Sequence, residues 1–321
     1  MPSPTSALST LRPDLAASLE EFNLAMDAEG FIGHRVLRHT SVASQSGNFG
    51  KIPIEQLLQN RDTKRAPGSG YNRGQFTFTP ATYATAEHGA EEPVDDREAA
   101  MYANYFDAEV IATARAQRAV VENQEKRVAD MIFNTTTYTA TSVTNEWDDA
   151  TNATPIDDVE SKVQGLYDAS GLWPNAMVIT KKVFRNLRNC SQIVDRVKYQ
   201  GFMDARAGNI SVAALAEALA LDNILVAGGT KNTANEGASA SLAPIWDDEY
   251  AWIGRIATSD DFREPCVGRI FHWAEDGSEE DGLVESYRDE TVRSDIIRVR
   301  HDVDEVELYT TCNGLLDNIT A

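Results

Sequence analysis

Thr154-Pro155-Ile156-Asp157 and, further on, Gly171-Leu172-Trp173-Pro174-Asn175 running into Ala176-Met177-Val178-Ile179 decide how this chain folds. Threonine suits a helix N-cap, proline suits the first helical position, and Asp157 stands where a capping box wants its acid. Ile156, Val159, Val163 and Leu166 recur at helical spacing as a buried face, and Gly171 ends the helix. The apolar run from Ala176 reads as a strand and Lys181 to about Asn189 as a second helix, with Ile193-Val194-Asp195-Arg196-Val197-Lys198-Tyr199 following. A third helix spans Ser211 to Leu221, with Val212, Leu215 and Leu219 inward, before a second apolar strand, Ile224-Leu225-Val226-Ala227. Asn232-Thr233-Ala234-Asn235-Glu236-Gly237 is loop, and Ile245-Trp246 closes the run that Trp147 opens. Residues 154 to about 256 therefore form a compact α/β unit, joined to what precedes them by a Thr- and Asn-rich linker, 135–153.

Working outward, residues 97–134 contain no proline or glycine. Tyr102, Phe106, Val110, Ala114, Val121, Val128 and Ile132 make an apolar stripe, broken at Gln117 and Gln124. A single helix over the whole stretch would be roughly 55 Å long at 1.5 Å per residue. The stripe lacks sustained apolar heptads, so a spine laid across a sheet is expected rather than a coiled coil. Earlier, Leu15, Leu19, Phe22 and Met26 mark an amphipathic helix after Pro13-Asp14. From about Gly30 to Pro93, short β-type runs (35–42, 51–54, 75–79, 82–85) alternate with Ser, Gly and Asn around the polar loop from Gln59 to Gly70. A ribbon this polar buries too little to stand alone, and a monomer offers it no evident support. After 256, Ile270-Phe271-His272-Trp273, Ile296-Ile297-Arg298-Val299 and Val306-Glu307-Leu308-Tyr309 read as strands, separated by the acidic turn from Glu275 to Gly282.

Composition narrows the function. The 321 residues exceed what one core organises, and 42% hydrophobic with 25% charged is an ordinary globular balance. No run approaches the roughly 20 apolar residues of a membrane span. Met1-Pro2-Ser3-Pro4-Thr5-Ser6 does not lead into a signal peptide, so synthesis in the cytoplasm and no membrane partner are expected. A net charge of −21 opposes simple electrostatic binding of nucleic acid by the chain as a whole. His34, His39, His88, His272 and His301 are scattered and form no metal-binding motif. Leu225-Val226-Ala227-Gly228-Gly229-Thr230-Lys231 fails both phosphate-loop patterns and reads as a turn. Five aspartate pairs (at 95, 148, 157, 247 and 260) suit turns and helix starts better than a calcium loop. Cys190, Cys266 and Cys312 read as buried structural thiols. No catalytic residue, cofactor or metal is expected.

The ordered series from Trp147 to Trp246 resembles the major capsid proteins of tailed bacteriophages and prophages, whose shells use the Hong Kong 97-type fold; the rest follows more loosely by order of elements. The resemblance implies an α+β fold with an N-terminal arm (1–46), an extended hairpin loop (47–93) and a peripheral domain with the spine helix (94–146). An α/β axial domain (147–256) and returning strands of the peripheral domain (257–321) complete it. It implies self-assembly as pentamers and hexamers into an icosahedral shell around packaged double-stranded DNA, with assembly in the host cytoplasm, a virion destination and no enzyme activity. The unsupported ribbon then lies against another copy, and Arg61, Lys64, Arg65 and Tyr71 near its tip are expected to contact an acidic neighbour. Since only a short arm precedes the hairpin, a separate scaffolding protein is expected, beside a portal, with a decoration protein left open. No motif for the archetype's lysine–asparagine crosslink surrounds Lys51 or Lys64. Three other readings compete: an encapsulin-like nanocompartment shell with an enzyme cargo, an α/β enzyme of unknown activity, and, ranked lowest, a phage decoration or tail component.

Overall fold

The computed structural model describes residues 10–12, 14–15, 22, 25–74, 77–102, 107–199, 210–235, 237–261, 264–274 and 282–320. Its strands are β1 (Thr10–Leu11), β2 (Arg38–Val42), β3 (Ser46–Lys51), β4 (Thr79–Ala84), β5 (Ala86–Asp95), β6 (Ala140–Ser142), β7 (Ala176–Thr180) and β8 (Asn223–Ala227). They continue with β9 (Thr230–Asn232), β10 (Leu242–Pro244), β11 (Ala251–Gly254), β12 (Gly268–Trp273), β13 (Leu283–Asp289), β14 (Ser294–Glu307) and β15 (Gly314–Asp317). The helices are α1 (Gly33–Val36), α2 (Ile54–Leu57), α3 (Asp96–Tyr102), α4 (Ala108–Ile132), α5 (Pro155–Ser170), α6 (Lys181–Asn189), α7 (Ser191–Tyr199) and α8 (Val212–Ala218).

The α/β unit is built on a five-stranded sheet of order β6-β15-β11-β7-β8. Pro155 opens α5, and Gly171 closes it in the left-handed conformation (φ 70°), its N–H on the Tyr167 carbonyl at 2.7 Å. The Thr154 hydroxyl makes no cap; the Gln192 side chain accepts from Ile156 N instead, at 2.9 Å. Ser211 caps α8 by accepting from Ala214 N at 3.2 Å. Side chains alternate cleanly across the sheet. Met177, Ile179, Ile224, Ala251, Ile253 and Leu316 join the core under α5–α8. Ala176, Val178, Leu225, Ala227, Trp252 and Leu315 pack the opposite face, with Val128, Ala129 and Ile132 of α4 and with Phe31. A strand covered on both faces must be apolar throughout, and this explains a correction to the sequence reading. The returning segment 257–321 was expected to stay in the peripheral sheet, yet Gly314–Asp317 pairs with β11 and β6, burying both Leu315 and Leu316.

The second sheet has the order β1-β13-β14-β12-β2, with β5 on the other flank of β14. β2 pairs in parallel with β12, so residues assigned to the arm belong to this sheet. β5 pairs with β14 from Asp95↔Ser294 to Ala86↔Val303, which removes 86–93 from the hairpin as well. The spine also differs from the single helix expected over 97–134. Asp107 leaves helical geometry (φ −82°, ψ 113°) and its carboxylate accepts from Glu109 N at 3.0 Å, so α4 starts there and α3 is separate. Gln117 and Gln124, the breaks in the stripe, are buried. Leu19, Phe106, the side chain of Tyr102 and the acidic turn up to Asp281 lie outside the described residues.

Candidate assembly surfaces

β3 and β4 form a two-stranded ribbon, in register from Ser46↔Ala84 to Lys51↔Thr79, with no fully buried residue on either strand. The structure gives its base more support than the sequence suggests. Tyr83 stacks on Phe271 at 4.9 Å between ring centroids, and Phe49 lies 5.3 Å from the same ring. Lys51 Nζ donates to the Leu308 carbonyl at 2.8 Å, and Tyr309 Oη to that of Ile52 at 3.0 Å. Ile54 of α2 is buried with Cys266, Leu308, Tyr309 and Cys312. The base of the ribbon is therefore fixed to its own chain.

Beyond Leu58 this changes: residues 58–74 are exposed apart from a half-buried Arg61. Arg65 lies over the Tyr71 ring at 4.8 Å and donates to the Ser69 carbonyl at 2.6 Å. Arg61 crosses Gly74, where a Cβ would sit 1.2 Å from the guanidinium, so a larger residue there would push the flexible Arg61 head aside. Lys64 caps the local turn only through its backbone, its N–H on Asp62 Oδ1 at 2.9 Å. Of the four residues picked from sequence, Arg65 and Tyr71 are brought together, whereas Arg61 and Lys64 make separate contacts. Tyr71 remains 73% exposed, a large apolar ring on a basic loop.

A joint between spine, N-terminal segment and α/β unit lies beside Gln124, one of the breaks in the apolar stripe. Glu125 of α4 is buried and accepts from Ile32 N (2.9 Å), Gly33 N (2.6 Å) and Trp246 Nε1 (2.6 Å). Burial raises its pKa, while the three donors pull it back. Beside it, Gly228 N donates to the Gly30 carbonyl at 2.9 Å, and Lys181 Nζ reaches the Glu29 carbonyl at 2.5 Å. A Cβ at Gly30 (φ 104°) would meet Gly228 N at 2.7 Å, and one at Gly228 would meet Lys181 Cε at 2.3 Å. Gly228-Gly229 is thus a point of close backbone approach.

Groups that might carry chemistry are used for structure. Asp96 takes both guanidinium nitrogens of Arg288 at 2.6 Å, Asp149 accepts from Thr151 N and Asn152 N, and Asp158 accepts from Trp147 Nε1 at 3.0 Å. All three cysteines are buried, and burial pushes the thiols of Cys266 and Cys312 up to about 11 and about 12. His272 and His301 are buried in the six-stranded sheet, with His39 on β2 alongside. Desolvation lowers His39 to about 4 and His301 to about 3. Among the described residues, no group of three or more His, Cys, Asp or Glu side chains could hold a metal ion, and no helix is long and apolar enough to cross a membrane.

No family model matches the chain. A major capsid protein of Pseudomonas phage JBD67 is 25% identical over 250 residues, which are 76% of this chain and 78% of the relative. A major capsid protein of Burkholderia phage BcepMu is 27% identical over 202 residues, 61% of this chain and 63% of that one. A phage-related protein from Bordetella bronchiseptica, 21% identical, superposes with a TM-score of 0.70 over 97% of this chain and 98% of its own. The capsid structure of cyanophage P-SCSP1u superposes at 0.57, with 11% identity over 88% of this chain and 86% of that one. A virus-like particle from Pyrococcus furiosus superposes at 0.56, with 15% identity over 94% and 98%. The chain has the Hong Kong 97-like capsid fold, and in sequence it is similar to the major capsid proteins of phages.

Proposed function

We propose that copies of this chain self-assemble as pentamers and hexamers into an icosahedral shell that encloses packaged phage DNA. The observation that carries the reading is the match to a phage major capsid protein over three quarters of both chains, 76% and 78%. The relatives point to a structural, non-enzymatic role and to the virion. The hairpin fits this reading, because its base is anchored in its own chain while its basic, aromatic tip is left exposed. In the shell, Arg61, Lys64, Arg65 and Tyr71 lie against an acidic surface of a neighbouring copy. A chain of net charge −21 offers many such surfaces. A separate scaffolding protein and a portal complete the assembly.

Electron microscopy of the purified protein, with light scattering on the same sample, tests the reading. Closed shells, rings of five or six copies, or tubes in the megadalton range are expected. A uniform monomer or dimer that persists on concentration and on co-expression with neighbouring genes overturns it. A second reading is an encapsulin-like compartment with an enzyme cargo; the fold is shared with a virus-like particle from Pyrococcus furiosus. Particles that co-purify with one enzyme and no nuclease-protected DNA would favour it.

A further inference from the structure

Beyond the spine, the chain crosses between its two sheets twice, and one side chain holds both crossings. The outward crossing leaves β11 at Gly254 and enters β12 at Gly268; the return leaves β14 at Glu307 and enters β15 at Gly314. Asn313 sits where they meet, only 5% exposed. Its Oδ1 accepts from Arg255 N of the outward crossing at 3.0 Å, and its Nδ2 donates to the Tyr309 carbonyl of the return. Nδ2 also reaches Cys312 Sγ at 3.6 Å, and Asn313 N donates to the Thr310 carbonyl at 3.2 Å. A Cβ at Gly254 would sit 2.1 Å from Asn313 Oδ1, so the carboxamide fills the space this glycine leaves.

The next residue is glycine, and no other asparagine of the chain is followed by one. That pair is chemically labile. With no Cβ in the way, the backbone nitrogen after the asparagine can reach its side-chain Cγ. Attack closes a succinimide, the attacking nitrogen loses its proton, and the side-chain nitrogen leaves as ammonia. Water then opens either carbonyl of the ring, giving aspartate or isoaspartate, so the net change consumes one water and releases one ammonia. The fold blocks the first step. Both ends of the Asn313 carboxamide are held, and Gly314 is the first residue of β15, in register with Ile253 of β11. Bringing Gly314 N onto Cγ means breaking those bonds and lifting β15 from the ladder.

Neither product fits the closed joint. Aspartate has no N–H for the Tyr309 carbonyl and would bury a charge. Isoaspartate adds a methylene to the backbone ahead of Gly314. That shifts β15, whose Leu315 and Leu316 are buried on opposite faces of the sheet.

We propose that Asn313-Gly314 is a modification site gated by the fold. It is inert while both crossings are in place, and it converts to aspartate or isoaspartate whenever the joint opens or the chain stands unfolded. Conversion is irreversible, and a converted chain does not rejoin its two sheets. The site belongs to the single chain and does not depend on assembly.

The test follows Asn313 by peptide mass spectrometry in the full chain, held at mildly alkaline pH either folded or unfolded in guanidinium chloride. Conversion should run at least about a hundredfold slower in the folded chain, because core strands are open only a small fraction of the time. Comparable rates would overturn the proposal. Once the denaturant is removed, the refolded soluble fraction should be depleted in converted chains. An undiminished share of converted chains there overturns it as well. Gly314→Ala supplies a control, since its methyl crowds the attacking nitrogen and the nearest atom it meets is the flexible Lys162 Cε, at 2.4 Å. Held unfolded for the same time, this variant should keep its refolding yield while the unaltered chain loses yield. Equal losses would place the damage elsewhere in the chain and sink the assignment. Where Gly314→Ala refolds poorly even when fresh, the mass readings on the unaltered chain decide alone.

Discussion

The two sheets solve the same problem with different chemistry. The five-stranded sheet is sandwiched between α5–α8 and the spine, and its central strands β7 and β11 are buried at every residue. The six-stranded sheet keeps polar groups inside: Arg269, Glu285, His272, His301 and Asp302 are all buried. Arg269 donates to the carbonyls of Ser259 and Asp261 at 2.8 Å and to Thr40 Oγ1 at 3.3 Å. On the opposite face, that of Ile270, Arg127 of the spine grips Glu305 through two bonds of 3.0 and 2.8 Å. Apolar packing is insensitive to pH and loses most when a large side chain is removed; a polar interior is sensitive to protonation and to the loss of single partners. The α/β unit should therefore behave as a rigid block, and the peripheral sheet as the part that responds to conditions.

The largest break in this contrast is Trp252→Ala. Trp252 is fully buried on the central strand β11, so its loss should cost about 3–5 kcal/mol, read from urea unfolding of the unassembled chain. A cost under about 1 kcal/mol would mean the apolar block is not what holds this half together.

Glu125→Ala comes next, because it strands three buried donors, Ile32 N, Gly33 N and Trp246 Nε1. A loss of about 3 kcal/mol is expected, given about 1–3 kcal/mol for each group left unpaired. Glu125→Gln keeps an acceptor oxygen and should lose less. Equal losses for the two variants would show that the hydrogen bonds contribute nothing beyond packing.

Acid separates the sheets at intermediate scale. An unfolded histidine takes its proton near 6.5, whereas folded His39 waits until about 4 and His301 until about 3. Between those values the unfolded chain binds more protons. Stability should therefore fall as pH drops below about 6.5, by up to about 1.4 kcal/mol per pH unit for each histidine. Arg127, His88, His39 and His272 surround His301 and all oppose its protonation. Glu125 acts with the opposite sign: its raised pKa lets the folded state bind a proton first, so acidification relieves its cost. Unfolding curves between pH 7 and 4 should show the net loss, and His301→Gln should cut the slope by roughly half. A flat profile would place the histidines outside the energetics of this sheet.

Local rules made much of the α/β unit legible. Gly171 ends α5, Lys181–Asn189 is a helix, and the two apolar runs are the strands β7 and β8. These depend on residues within a turn or two of each other. What stayed hidden depends on partners far along the chain. β2 lies beside β12 across more than two hundred residues, and nothing in Arg38–Val42 announces it. β5 is acidic and broken by Pro93, yet it is a ten-residue strand because β14 offers it a register. Gln117 and Gln124 interrupt an apolar stripe; Gln124 is buried and Glu125 beside it makes the joint, so the interruption itself was the available signal. Within the hairpin, composition marked the exposed tip, while the anchoring of its base by Phe271 and Tyr309 needed the fold.

The smallest effect on the chain itself should come from the tip, where Lys64→Ala and Arg65→Ala touch neither sheet. Both side chains are exposed, and Arg65 contacts Ser69 and Tyr71 within the same loop. Exposed charge pairs are worth about 0–1 kcal/mol, so unfolding of the unassembled double variant should shift by less than about 0.5 kcal/mol. Assembly is a different matter, since each copy in a shell repeats the contact and small terms multiply. The double variant should therefore form particles only at higher protein concentration. Added salt should weaken assembly of the unaltered chain more than that of the variant, because the charges removed are the ones salt screens. An assembly curve indifferent to both substitutions would leave Tyr71 and the aromatic surface of the loop as the contact, and would remove charge from the tip's role.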